Sequence, residues 1–260
     1  MTSFDGRTVL VTGAGRGLGA AYARVFAAGG ADVVVHDAGL GLDGSGGDRA
    51  IADAVAAEIG GLAAYEDLRD RDACYALVAR AVEEYGRLDA IVHNAGLLVF
   101  ERLEEADRHW ADVRETTLDA AFHLTRAAWP VMKEQQHGRI VFTTSSRAMH
   151  LKESVAGLAA YAASRMGAFG LMLAVAAEGE AHGIRANAIS PVASTRTSTR
   201  DAEPGELAPE LVAPAVVHLA SDECDFSGVV VYAEGGRFRT VGWTDGPALD
   251  FESEGAVRTA

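Results

Sequence analysis

The strongest constraint on the fold is a short apolar run near the N-terminus that breaks into glycines and then continues as a helix. Residues 8–12 (TVLVT) have the composition of a buried strand, and residues 20–26 have that of a helix. Between them, Gly13, Gly17 and Gly19 let the backbone turn tightly, approach a ligand closely and pack the helix on the strand. The N–H groups at such a helix start favour an anion. Because many tight turns also use glycine, the assignment depends on the residues after the helix.

A second predicted strand with an acidic end comes after this helix. Residues 31–37 (ADVVVHD) form an apolar run that closes with Asp37, twenty-four residues after Gly13. In a dinucleotide-binding strand–helix–strand unit, a carboxylate at this position meets the hydroxyls of the adenosine ribose. The glycine turn, the helix, the strand and the terminal acid together predict a dinucleotide site.

Predicted strands and helices alternate along the rest of the chain. The further predicted strands cover 61–66, 88–93, 139–144, 184–189 and 229–232. The further predicted helices cover 48–59, 69–86, 107–135, 157–181 and 211–220. This alternation predicts one α/β domain over 1–260, with a single Rossmann-type, doubly wound parallel sheet of about seven strands flanked by helices. The polar segment 192–209 is predicted to be a mobile cover over the site.

Composition narrows the class of protein. A chain of 260 residues with 49% apolar residues can fill the core of one α/β domain. Its formal net charge of −14 argues against a nucleic acid or an anionic membrane as a partner. Cys74 and Cys224 have no paired spacing, and no group of His, Cys or acidic residues has metal-ligand spacing, so we predict neither disulfides nor a metal site. Without a leader or a long apolar run, we expect a cytoplasmic protein with a small-molecule substrate.

Three polar residues form a candidate catalytic set. Ser145 follows a predicted strand, and Tyr161 and Arg165 lie one helical turn apart, on one face of a predicted helix. A tyrosine hydroxyl is a poor acid–base group at neutral pH unless a nearby cation favours the phenolate, and Arg165 could supply that cation. Ser145 could then bind a substrate oxygen while Tyr161 passes a proton and a nicotinamide carries a hydride. Without the predicted dinucleotide site, the tyrosine–arginine pair would be interpreted as an ordinary solvated pair.

The order of these motifs resembles that of the short-chain dehydrogenase/reductase family over nearly the whole chain. The matching motifs are Thr12-Gly13-x-x-x-Gly17-x-Gly19, Asp67-Leu68, Asn94-Ala95-Gly96, Ser145 and Tyr161-x-x-x-Arg165. The loop after Asp37 and segments 125–129 and 209–214 further resemble the (3R)-hydroxyacyl-CoA dehydrogenase module of multifunctional β-oxidation enzymes. The resemblance implies a seven-stranded parallel sheet, nicotinamide binding, homodimers or homotetramers built on the long helices, and hydride exchange between an alcohol and a ketone.

The resemblance also assigns site residues. The cofactor-binding residues that it implies are Gly13, Arg16, Gly17, Leu18, Gly19, Asp37, Asp67, Leu68, Asn94, Ala95, Gly96, Tyr161, Arg165 and Pro191. The catalytic residues that it implies are Ser145, Tyr161, Arg165 and Thr117. Asp37 implies NAD rather than NADP, because in the family this carboxylate binds the ribose 2′-hydroxyl and repels a 2′-phosphate. Arg16 would attract that phosphate, but Asp37 carries more weight because it meets the ribose directly.

Two substitutions depart from the family pattern at the catalytic centre. Arg165 stands where the family has lysine; it keeps the positive charge, but it stays protonated and cannot hand on a proton. Thr117 stands where the family has an asparagine that holds a relay water, and a hydroxyl can bind water with less reach. The charge beside Tyr161 can survive these changes while the proton relay does not.

Two further departures concern the chain around the substrate. Ser145 lies sixteen residues before Tyr161, farther than is usual, so we expect an insertion within 147–154 and either Ser145 or Ser146 as the catalytic serine. The Pro-Gly pair that the family has after its sixth strand is Pro191-Val192 here.

These observations lead to two main hypotheses. The first is an NAD(H)-dependent oxidoreductase of a secondary alcohol or its ketone, such as a 3-hydroxyacyl thioester or a secondary metabolite. The second is a redox-silent family member that catalyses dehydration or cyclisation, or that binds a dinucleotide as a sensor. A purely structural oligomeric partner ranks last, because it leaves the glycine turn and Asp37 unexplained.

Overall fold

The computed structural model describes residues 2–41, 44–150, 153–196, 203–244, 249–251 and 257–259. Its strands are β1 (Thr8–Thr12), β2 (Asp32–His36), β3 (Leu62–Ala64), β4 (Ala90–His93), β5 (Gly138–Thr143), β6 (Ile184–Val192), β7 (Val230–Glu234), β8 (Arg237–Val241), β9 (Leu249–Phe251) and β10 (Val257–Thr259). Its α-helices are α1 (Gly17–Ala28), α2 (Ala50–Ile59), α3 (Arg71–Tyr85), α4 (Trp110–Arg114), α5 (Ala120–Gln135), α6 (Ser146–Met149), α7 (Ala159–Gly179) and α8 (Ala213–Leu219).

One twisted sheet organises the described residues. Its strand order is β3-β2-β1-β4-β5-β6-β7-β8, and β1 to β7 run parallel. The order reverses at β1, which pairs with β2 on one side and with β4 on the other. This reversal confirms the predicted doubly wound, Rossmann-type sheet and creates a crevice between β1 and β4 at the carboxyl edge.

The predicted number of about seven strands is too low, because β8 adds an eighth. Gly235 and Gly236 both have positive φ and turn the chain back, so that β8 pairs antiparallel with β7. The residues of β8 (RFRTV) are largely exposed and show no apolar periodicity. The sequence pattern therefore does not predict this strand. β9 and β10 form a separate antiparallel pair.

Apolar layers cover both faces of the sheet. Val9 and Val11 of β1 point to one face, where they belong to the same buried cluster as Phe26 of α1. Leu10 points to the other face, where it belongs to a cluster with Leu77 of α3 and with α5 and α7 residues. Because successive side chains of a strand alternate between faces, both layers need apolar residues, which explains the continuous apolar runs of the strands.

The prediction of one regular helix over 107–135 is wrong. The chain forms a 3-10 helix over Leu103–Arg108, then α4, a π-helical turn over Glu115–Asp119, and α5. A π-helical turn accommodates an extra residue by i→i+5 hydrogen bonding, a local pattern that apolar spacing does not reveal. Thr117, a predicted site residue, lies inside this turn.

The helical stretch Ala159–His182 is the single one among the residues described that is long and apolar enough to cross a membrane. It contains α7, which packs against β5, β6 and α4. A helix that covers a doubly wound sheet is expected to be apolar in this way.

The two segments expected to shape the substrate region are described in part. Of the predicted cover over 192–209, Val192 ends β6, and 197–202 lie outside the described residues. Of the predicted insertion over 147–154, the first residues belong to α6, and 151–152 lie outside the described residues.

Candidate active site

A cleft of about 350 Å³ opens at the carboxyl edge of the sheet, beside the switch point between β1 and β4. Open α/β sheets bind their ligands at such a point. The predicted site residues that line it are Gly13, Arg16, Gly17, Leu18, Asp37, Asp67, Leu68, Asn94, Ala95, Gly96, Ser145, Tyr161, Arg165 and Pro191. Gly19 and Thr117 are the predicted site residues that do not line it.

The glycine turn leads from β1 into α1 at the floor of the cleft. Gly13 and Gly17 have φ of 62° and 53°, a region that favours glycine. A Cβ on Gly19 would collide with the carbonyl of Gly13, so Gly19 serves the packing of the turn rather than the cleft surface. Within the described residues no side chain caps α1, so the N–H groups of its first turn are open to an anion such as a pyrophosphate.

Asp37 is held against the cleft wall by the backbone. Its Oδ2 accepts a hydrogen bond from the Gly15 N–H (3.0 Å), and its Oδ1 accepts one from the Gly39 N–H (2.8 Å). These bonds fix the carboxylate at the end of β2, while each oxygen keeps further acceptor capacity.

Two arginines converge near Asp37, on the carbonyl of Leu40. Nη2 of Arg16 donates to this carbonyl at 2.8 Å, and Nη1 of Arg196 donates to it at 3.1 Å. Burial, and then repulsion from Arg16, lower the pKa of Arg196, while Asp37 opposes that shift. Arg16 therefore reaches the glycine-rich loop after β2, and the chain after β6 meets the same loop.

A network that joins β1, β4 and the π-helical turn was not predicted from the sequence. Asn94 donates through Nδ2 to the carbonyls of Thr12 (3.0 Å) and Gly13 (3.2 Å). Thr12 Oγ1 accepts from the N–H groups of Asn94 and Ala95 and lies 3.2 Å from Nδ1 of His93. His93 ends a buried strand directly before a predicted site motif, which is the only signal that could have found it.

The tautomer of His93 is set by its partners. Nε2 lies 2.9 Å from the carbonyl of Thr117, which can only accept, so Nε2 carries the hydrogen and Nδ1 accepts from the Thr12 hydroxyl. Burial, with a smaller contribution from Arg165, lowers the pKa of His93 to about 3. His93 is therefore a neutral connector between β4 and the turn that holds Thr117.

Asp67 lies in the cleft in a bonded ion pair. Nη2 of Arg69 donates to its Oδ2 at 2.6 Å, and Nη1 of Arg69 donates to Asp112 of α4 at 3.0 Å. The hydrogen bonds from Arg69 lower the pKa of Asp67, so the carboxylate stays charged. Arg69 thereby links the cleft to the start of the α4–α5 helical stretch.

The candidate catalytic residues meet at one end of the cleft. Ser145 Oγ caps α6 by accepting from the Arg147 N–H at 3.2 Å, and the neighbouring Ser146 also lines the cleft. Tyr161 lies in the first turn of α7, and the guanidinium carbon of Arg165 is 5.5 Å from the centroid of its ring. This separation is within the range of a cation–π contact.

The cleft carries cationic groups in an acidic chain. Arg16, Arg147, Arg165 and Arg196 line it, against the carboxylates Asp37 and Asp67, although the formal net charge of the chain is −14. Such a local excess of positive charge favours an anionic ligand. Among the residues described, no group of three His, Cys, Asp or Glu side chains could hold a metal ion.

The sheet, its switch point and the glycine turn define a dinucleotide-binding protein of the Rossmann type. A family model described as short chain dehydrogenase matches residues 7–206. The chain belongs to the short-chain dehydrogenase family, whose members are oxidoreductases that bind nicotinamide dinucleotides.

Individual relatives agree with this assignment. A crystal structure of a short chain dehydrogenase from Mycobacterium avium superposes with a TM-score of 0.82 and 40% identity, over 95% of this chain and 89% of that chain. The peroxisomal multifunctional enzyme type 2 of Mus musculus is 39% identical over 92% of this chain, which spans 33% of that longer protein. The 3-oxoacyl-[acyl-carrier-protein] reductase of Escherichia coli is 32% identical over 91% of this chain and 99% of that protein. The predicted family, and the likeness to multifunctional enzymes within it, are confirmed.

Proposed function

We propose that this protein is an NAD(H)-dependent oxidoreductase that exchanges a hydride between the nicotinamide and a secondary alcohol or its ketone. One observation carries the proposal: Tyr161, with the Arg165 cation 5.5 Å from its ring, lines the same cleft as Ser145, the glycine turn and Asp37. A dinucleotide bound across the switch point would therefore have an acid–base group and an oxygen-binding group at one end.

The residues of the cleft suit the dinucleotide. The open N–H groups at the start of α1 would hold the pyrophosphate, and Asp37 would accept hydrogen bonds from the adenosine ribose. NAD is favoured over NADP, because the carboxylate of Asp37 would repel a 2′-phosphate at the ribose. When bound, the nicotinamide supplies or accepts the hydride.

The chain itself would supply the proton and orient the substrate. In the reducing direction, Tyr161 gives its hydroxyl proton to the ketone oxygen, and in the oxidising direction it takes the proton from the alcohol. Ser145 accepts the Arg147 N–H through its oxygen, so its own hydrogen can bond the substrate oxygen. Arg165 places a positive charge 5.5 Å from the centroid of the Tyr161 ring, where negative charge develops during proton transfer.

The relatives support a thioester as the substrate. One relative is named as a 3-oxoacyl-[acyl-carrier-protein] reductase, and another is named as a peroxisomal multifunctional enzyme type 2. We propose a 3-hydroxyacyl or 3-oxoacyl thioester as the first substrate class to examine.

A second candidate function is a non-redox reaction, such as dehydration or cyclisation, or dinucleotide sensing. The observation that favours it is the burial of Arg165, which is 6% exposed and bonded to the carbonyl of Thr143 at 3.0 Å. A guanidinium in that position stays protonated and cannot relay a proton as an ammonium can.

Titration of the purified protein with NADH and with NADPH, followed by nicotinamide fluorescence, tests the cofactor proposal first. We expect tighter binding of NADH. Binding of neither would contradict both hydride transfer and dinucleotide sensing and would favour a non-redox reaction. Hydride transfer is then assayed with ketones and 3-oxoacyl thioesters.

The Tyr161→Phe variant tests the catalytic assignment. Loss of the acid–base hydroxyl should lower turnover by at least about 100-fold and leave NADH binding within about threefold. Tyr75→Phe, on α3 and outside the cleft, is the matched control and should keep its activity. Undiminished turnover by Tyr161→Phe would rule out the proposed role.

A further inference from the structure

The guanidinium of Arg165 is held at its far end. Arg165 lies on α7 with its side chain almost fully buried, and Nη1 donates to the carbonyl of Thr143 at 3.0 Å. Its Nε is buried without a hydrogen-bond partner among the described residues. The position of the guanidinium is therefore fixed by the atoms that surround its Cζ and its two terminal nitrogens. One of these nitrogens, Nη1, bonds the Thr143 carbonyl.

Gly96 provides the space for the other nitrogen. A Cβ built on Gly96 would lie 2.5 Å from Nη2 of Arg165 and 3.1 Å from its Cζ. Distances below 3.0 Å are essentially never seen for real Cβ atoms. Gly96 is not among the glycines with positive φ, so the backbone conformation does not require glycine at this position. The guanidinium therefore lies directly against the Gly96 backbone, and a side chain at position 96 would force it to shift.

Thr117 borders the same space from the π-helical turn. Its Oγ1 would lie 3.0 Å from the same Cβ position on Gly96, and it is buried without a partner among the described residues. A hydroxyl oxygen can accept from a guanidinium nitrogen, which only donates. The carbonyl of Thr117 is bonded to His93, so the backbone that carries this hydroxyl is anchored to the core of the protein.

We propose that Gly96 and Thr117 are positioning residues that form a seat for the Arg165 guanidinium and so hold its charge beside Tyr161. The two departures from the family pattern are then one adaptation. Arg165, a larger cation than the usual lysine, fills a space that is bordered by Thr117, a shorter side chain than the usual asparagine. The inference rests on the proposed function, because Tyr161 is the group that the seated cation serves.

This proposal makes a counterintuitive prediction for Arg165→Lys. Lysine has a compact ammonium on a shorter side chain, so it cannot both bond the Thr143 carbonyl as this fork does and fill the space at Gly96. We expect this variant to lose hydride transfer by about tenfold or more, although it restores the residue that is usual in the family.

A double-mutant cycle tests the seat directly. In the wild-type background, Gly96→Ala should lower hydride transfer by at least about tenfold, because the new methyl group displaces the guanidinium. In the Arg165→Lys background, Gly96→Ala should lower hydride transfer by less than about twofold, because the guanidinium atoms that would clash with the new methyl group are absent. Thr117→Val keeps the size of the side chain but removes the oxygen beside Gly96, so it should lower hydride transfer more than Thr117→Ser does. Gly170→Ala on α7 meets nothing within 4 Å and is the matched control.

Two readouts separate the seat from the proposed function. The unfolding equilibrium constant from urea titration should show the same coupling of at least about fivefold, whether or not turnover is detected. The pH profile of hydride transfer should move in Gly96→Ala and stay unchanged in Gly170→Ala, because only the first displaces the cation.

The outcomes are distinct. Coupling in unfolding together with no turnover by the wild-type protein would overturn the proposed function and support the seat. Equal costs of Gly96→Ala in the two backgrounds, in unfolding as well as in turnover, would overturn the seat. Coupling in unfolding without any coupling in measurable hydride transfer would overturn the positioning role.

Discussion

At the scale of single residues, His93 connects three parts of the candidate site. It ends β4, faces the Thr12 hydroxyl at the end of β1 through Nδ1, and donates from Nε2 to the carbonyl of Thr117. The Thr12 oxygen already accepts from the N–H groups of Asn94 and Ala95, so Nδ1 of His93 supplies the acceptor for its hydroxyl hydrogen. A neutral imidazole suits both partners, since one nitrogen donates and the other accepts.

His93 should make the protein sensitive to acid. Its folded pKa of about 3 lies below the ordinary value of 6.5, so the unfolded chain takes up a proton that the folded chain does not. This contribution to stability is complete above pH 6.5 and is lost at about 1.4 kcal/mol per pH unit as the pH falls towards 3. Urea unfolding at several pH values gives the slope of the unfolding free energy against pH. Between about pH 6 and pH 4, this slope should correspond to about one proton fewer in His93→Asn than in the wild-type protein. An identical slope in both proteins would contradict the assignment.

The glycine motif shows what single residues reveal in advance. Gly13, Gly17 and Asp37 were predicted from local pattern, and they line the cleft together. His93 was not predicted, because its partners are brought close by the pairing of β1 with β4 and by the π-helical turn. Nothing in the neighbouring sequence encodes that contact.

At the scale of elements, the two edges of the sheet differ. The carboxyl ends of β1 and β4 leave the cleft open, whereas their amino ends are tied by Asp89. This side chain is 4% exposed and accepts from Arg7 (2.8 Å), Arg87 (2.6 Å) and the Thr8 N–H (2.9 Å). Burial alone would raise the pKa of Asp89, but these hydrogen bonds outweigh it and lower the pKa.

Asp89→Asn should destabilise the fold without touching the cleft. An amide cannot accept from all three donors as the carboxylate does, so we expect the free energy of unfolding to fall by about 1–3 kcal/mol. Asp222, which also bonds Arg7 but is 59% exposed, is the control, and Asp222→Asn should cost about 1 kcal/mol or less. Urea unfolding at neutral pH measures both variants, and equal losses of unfolding free energy would contradict this role of Asp89.

At the scale of the whole molecule, large apolar side chains are exposed on neighbouring helices. Trp110 of α4, Phe122 of α5 and Leu173 of α7 are each between 41% and 47% exposed. Several large exposed apolar side chains on an otherwise acidic protein favour an interface. We therefore propose that the protein assembles into homodimers or homotetramers through these helices, as the family resemblance implies.

Phe122→Asp tests this assembly. A carboxylate buried in an apolar interface is costly, so we expect the variant to shift to a smaller species in size-exclusion chromatography with light scattering. Leu103→Asp changes the most exposed large apolar side chain, in the 3-10 helix before α4, and should leave the assembly unchanged. A monomeric wild-type protein would contradict the proposal.

Local sequence was sufficient to predict the alternation of strands and helices, the glycine turn and the acid at the end of β2, because burial periodicity and glycine conformation are local properties. Only the tertiary structure revealed four other features: the eighth strand, the π-helical turn, the hydrogen bonds of Asp89 and the seat of Arg165. The eighth strand and the π-helical turn are local features that apolar periodicity does not reveal, whereas the contacts of Asp89 and of Arg165 depend on groups far apart in the chain that meet only when the sheet forms. The space at Gly96 that receives the guanidinium is such a property, since it exists only where β4, α7 and the π-helical turn come together.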